Sequence, residues 1–185
     1  MTLEAAFDAL WLRLHAARDA VRELSRIVAD HPVETVPRVV DRLKEGVDDA
    51  LGLVLEAIES AAEGQQAVAH PSDIDRARRA LAGCHRPFNR AVRLLSTQLA
   101  SHRSLDQLAK LGLERGGEWA AWARPVEASL ELCQQSFFDA SEALFDCWQE
   151  LAERLGTTSV SVQTTNIGQH IALRKNEEMV GEGIS

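Results

Sequence analysis

The sequence predicts an all-α protein: an antiparallel up-down four-helix bundle with one short extra helix and an extended or disordered C-terminal tail. Three observations lead there. Four long stretches carry apolar residues at alternating steps of three and four, which lines one face of a helix. Proline or glycine interrupts the chain between them, leaving only short connections of the kind that join antiparallel neighbours. At 185 residues and 45% hydrophobic, the chain is long enough for one well-buried core. Residues 1–156 are therefore expected to form the bundle and 157–185 the tail.

The first helix, from Thr2 to Asp30, places Leu3, Phe7, Leu10, Leu14, Ala17, Val21, Leu24 and Val28 on one stripe. Thr2 is a natural N-cap, and Pro32 disfavours helical geometry in the residue before it. A second helix is expected from Pro37 to Glu63, with Val40, Leu43, Val47, Leu51, Val54 and Ile58 on its stripe and Gly64 opening the next connection. Residues 33–71 carry eight acids and three bases.

The third helix follows Ser72 and aligns Ile74, Ala77, Leu81, Cys84, Phe88, Ala91, Leu95 and Leu99. Pro87 lacks an N–H and its ring crowds the carbonyl of Gly83, so a kink or short break is expected there. Ser104 and Gln107 form a capping box that opens a short helix ending at Gly116 and Gly117. The last helix, from Glu118 to Leu155, carries Trp119, Trp122, Val126, Leu130, Cys133, Phe137, Leu144, Cys147 and Leu151, with Gly156 as its stop. No internal repeat is evident, which disfavours a solenoid.

Beyond Gly156, residues 157–172 hold no Asp, Glu, Lys or Arg. Such a polar stretch buries too little apolar area to offset its ordering entropy. Val160 and Val162 alternate with serine and glutamine, so this part of the tail could also add as a strand to a partner's sheet edge.

Composition narrows the chemistry. A net charge of −8 gives no global reason to bind nucleic acid or an anionic membrane. No apolar run approaches the roughly 20 residues a membrane span needs, and the N-terminus lacks the basic region of a signal peptide. Cys84, Cys133 and Cys147 form no Cys-x-x-Cys pair, which argues against a disulfide scaffold or zinc ribbon and fits a reducing cytoplasm. No Glu-x-x-His is present, and the apolar stripes hold neither carboxylate nor histidine, so neither metal nor cofactor is expected.

One segment runs against the acidic background. Between Ser72 and Arg103 seven arginines meet only two acids, Asp73 and Asp75. At about 100° per residue, Arg79, Arg86, Arg90 and Arg93 lie opposite the apolar stripe and face outward. Guanidinium forks in such a row suit carboxylates on a protein partner, including acidic helices of a second copy, so a homo-oligomer stays open. The strongly acidic flanks disfavour nucleic acid. Trp119 and Trp122 either plug one end of the bundle or anchor a partner.

Arg79 and His85, separated by Ala80, Leu81, Ala82, Gly83 and Cys84, resemble the arginine-to-histidine spacing of the helical HEPN ribonucleases. The resemblance covers seven residues. It implies metal-independent RNA cleavage at a dimer interface, Arg79 binding phosphate and His85 acting in acid-base chemistry. Beside this enzymatic alternative stands the main expectation, a non-enzymatic adaptor or regulatory subunit. It would dock a larger protein through Arg79, Arg86, Arg90 and Arg93, through Trp119 and Trp122, or through Val160 and Val162.

Overall fold

A computed structural model of the chain describes residues 1–32, 38–70, 73–99 and 102–156. Among these the secondary structure is entirely helical: α1 (Leu3–Ala29), α2 (Arg38–Val68), α3 (Ile74–Arg93), a π-helical turn (Leu94–Leu99), α4 (His102–Arg115) and α5 (Gly117–Arg154). The tail expected after Gly156, Val160 and Val162 included, lies outside the described residues, as does Ser72.

The heptad stripe of α1 is buried along its whole length, from Leu3 to Val28. Thr2 caps it, its hydroxyl accepting from Ala5 N at 3.2 Å. α1 packs between α2 and α5. It runs antiparallel to α5: the Met1 amine meets Glu150 at 3.2 Å, Arg13 meets Asp139 at 3.3 Å, and Ile27 O accepts from Trp122 Nε1 at 2.9 Å. It also runs antiparallel to α2, with Asp8 accepting from Gln65 at one end and His31 meeting Lys44 at the other.

α2 continues past the expected stop at Glu63 to Val68. Gly64 is no loop residue here. It is buried inside the helix, and a Cβ on it would collide with the Phe7 ring. The hydrogen atom in place of a side chain lets an aromatic ring of α1 lie on the α2 backbone, which outweighs the low helix propensity of glycine.

α3 packs along α2, and Gly83 approaches it so closely that a Cβ would stand 3.1 Å from Ser60 Oγ. The break expected at Pro87 does not occur. Pro87 is buried inside a continuous helix, flanked by the buried Cys84, Phe88 and Ala91, so tertiary packing overrides the local penalty. The ladder widens instead at the π-helical turn, seven residues further on.

α4 begins at His102 and folds back on α5. The reversal uses Gly116 and Gly117, at φ +63° and +44°, a region that side chains with a Cβ rarely enter. Gly112 lies 3.2 Å, measured from an added Cβ, off the Ala120 backbone, closing the hairpin tightly. α5 ends with Leu155 N bonded to Leu151 O at 3.1 Å and Gly156 at φ +64°. The core joins α1, α2, α3 and α5, and Phe88 of α3 stacks on Phe137 of α5 at 5.5 Å. Each fully buried leucine or phenylalanine contributes about 1.5–3 kcal/mol.

Candidate interaction surface

The outer side of α3 carries the arginines. Ala77, Leu81, Cys84, Phe88 and Ala91 bury one face, and by helical geometry Arg79, Arg86, Arg90 and Arg93 fall in a sector of about 60° on the opposite one. All four are exposed. Arg79 Nε donates to the Asp75 carbonyl of its own helix at 3.4 Å, and the Asp75 carboxylate is met by Arg78 at 3.7 Å. Arg86 and Arg90 make no ion pair among the described residues.

Beside this row stands its opposite. On α2 the buried residues run from Val40 to Val68, and the acids sit across the helix from them. Glu56, Glu59 and Glu63 in the second half, with Asp41, Glu45, Asp48 and Asp49 in the first, share a sector of about 100°. Every one is exposed, and none forms an ion pair among the described residues. Acids three and four positions apart on one helix face repel one another. Midway along this ridge lies Gly52, exposed and with nothing within 4 Å of an added Cβ. Unlike Gly64, it is demanded by no contact among the described residues.

The acidic balance of residues 33–71 does not by itself reveal this ridge; the spacing 41, 45, 48, 56, 59, 63, which keeps the acids on one face, is the signal that does.

The two tryptophans are placed elsewhere. Trp119 and Trp122 are 3% and 6% exposed and meet edge to face at 5.7 Å. Trp122 donates to Ile27 O, His31 stacks over Trp119 at 6.4 Å, and the Arg115 guanidinium lies 5.1 Å from the Trp119 ring centre. The pair thus ties α5 to the end of α1, with little surface left for a partner.

Arg79 and His85 are not brought together. Six residues on one helix turn through about 600°, leaving them about 120° apart. Arg79 faces outward, whereas His85 lies half-buried against Trp148, ring centres 6.3 Å apart. Burial lowers the His85 pKa from its usual value, and Asn89 Nδ2 stands 2.7 Å from its Nε2. Both favour a neutral ring. The cysteines are buried and free, and burial pushes the Cys84 and Cys133 thiols up to about 12. Cys147 is raised too, by burial and then by the Cys84 thiol near it. At neutral pH such thiols stay protonated and poorly nucleophilic.

Among the described residues, no group of three or more His, Cys, Asp or Glu side chains is placed to hold a metal ion. Among the described residues, no helix is long and apolar enough to cross a membrane. Comparison with protein families, curated proteins and solved structures finds no match to this chain.

Proposed function

We propose that this chain is a non-enzymatic helical interaction protein, an adaptor or regulatory subunit, that docks a protein partner on the outer face of α3. The observation that carries the reading is the row of exposed arginines, of which Arg86 and Arg90 have no ion pair among the described residues. A guanidinium presents a planar fork of donors that fits carboxylates in pairs, so the row suits an acidic protein surface. The flanking ridge of α2 acids repels phosphates and counts against nucleic acid. The scaffold in this proposal is an up-down four-helix bundle built from α1, α2, α3 and α5, with α4 as the extra helix. Three free thiols suit a reducing cytoplasm.

The test is co-purification from the native host with the wild-type chain and with an Arg79→Glu, Arg86→Glu, Arg90→Glu, Arg93→Glu variant of matched helicity. The wild type should recover a discrete protein partner, and the variant should lose it. Equal recovery by both would remove the arginine face from the proposal. Incubation of wild type and an Arg79→Ala, His85→Ala variant with RNA should show no cleavage by either.

A further inference from the structure

The geometry points to a second copy of this chain as an occupant of the α2–α3 face. The inference rests on the proposed docking role of the arginines and names the acidic surface they meet. α2 and α3 lie side by side, joined at the close approach of Gly83 to Ser60. The acids of α2 and the arginines of α3 both lie opposite the buried residues of their helices, so the two ridges point out of the same layer. One layer therefore presents a negative ridge and a positive ridge next to each other.

A two-fold axis can superpose such a layer on itself in two ways. With the axis across the helices, α2 meets α2 and α3 meets α3, setting like charges together. With the axis along the helices, α2 of each copy meets α3 of the other, and the arginine row of each meets the second half of the other's acid ridge, Glu56 to Glu63. This second arrangement is isologous and closed. Its register follows from the chain itself. Since α3 runs back along α2 with Gly83 level with Ser60, Arg79 lies level with Glu63, Arg86 with the turn between Glu56 and Glu59, and Arg90 with Gly52 and Glu56. The axis keeps those heights, so the same residues face one another between copies.

Gly52 supplies a second observation. A glycine inside a helix weakens it, and no contact among the described residues requires this one. In the paired arrangement Gly52 leaves a gap in the acid ridge opposite Arg90 of the second copy, where a longer side chain would hold the helices apart. The row Arg79 to Arg93 spans about 21 Å of helix, and two helices about 10 Å apart present a strip about 20 Å wide. That corresponds to about 400 Å² per copy, in the range of weak, transient contacts. The dimer should therefore be reversible and weakened by salt.

Sedimentation equilibrium of the full chain tests this. Wild type should dimerise at low salt and dissociate as salt rises. An Arg79→Glu, Arg86→Glu, Arg90→Glu variant and a Glu56→Arg, Glu59→Arg, Glu63→Arg variant, each with wild-type helicity, should both be monomeric, with dimerisation weakened about tenfold or more. Mixed in equal amounts they should form a heterodimer, because both opposed ridges are then complementary again. Gly52→Arg, which has open space within one chain, should keep its thermal midpoint and lose the dimer. A monomeric wild type, a dimer that survives both reversals, or a mixture that stays monomeric would each overturn the inference. The docking reading fails separately: a monomeric wild type whose partner is still lost on arginine reversal overturns only the dimer.

Discussion

The inner and outer sides of the α2–α3 layer contain the same kinds of backbone and obey different rules. Inside, each position is fixed by a neighbour: Gly64 admits the Phe7 ring, Phe88 stacks on Phe137, and Pro87 sits within a continuous helix because its surroundings hold it there. Outside, among the described residues, a Cβ on Gly52 would meet nothing within 4 Å and the acids of α2 stand without ion pairs. The α1–α5 seam, by contrast, joins opposite charges across helices, as Met1 with Glu150 and Arg13 with Asp139. Charge that is paired within the chain closes a surface; charge sorted by sign onto neighbouring helices leaves one open to a partner.

Substitutions can break this contrast, beginning with the largest effect. Phe88→Ala empties a fully buried site and removes the stack on Phe137, so denaturant unfolding should show a loss of about 3–5 kcal/mol. Gly64→Ala forces a methyl group into the Phe7 ring and should cost about 1–3 kcal/mol, whereas the same change elsewhere in a helix would stabilise. Gly52→Ala supplies that comparison in the same helix, and the monomer should gain about 0.5–1 kcal/mol. If both glycines respond alike, the distinction between the two sides of α2 is lost. A double-mutant cycle on Arg13 and Asp139 should return a coupling of only about 0.2–1 kcal/mol, since both side chains are partly exposed.

Acid acts on the inner side through His85. Its folded pKa lies below 6.5, chiefly by burial, so between the two values the unfolded chain binds a proton that the folded chain does not. Stability is unaffected by this group well above 6.5, falls as pH drops through 6.5, and levels off below the folded pKa. His85→Gln should flatten that part of a stability-against-pH curve, measured by chemical denaturation.

Much of the fold was legible in the sequence because the heptad spacing of α1, α3 and α5 is itself the buried face. What was not legible depended on distant residues. Gly64 followed by two glutamines has the local chemistry of a connection, and only the Phe7 ring, 57 positions earlier, explains its place in a helix. Pro87 has the local chemistry of a break, and only its burial explains the continuity. The indole of Trp122 finds its acceptor at Ile27, 95 residues away, which no local pattern announces. Of the candidate surface, the arginine row could be read from helical spacing. The acid ridge could have been read the same way, but net charge over a segment discards the angular information that matters.

The buried thiols give the molecule a native clock for its own opening. Cys84 on α3 and Cys133 and Cys147 on α5 are shielded from solvent and held protonated, so a thiol-specific reagent should react only when these helices part. Modification at each position, followed by mass, would time the separation of α3 and the loosening of α5 without any introduced probe.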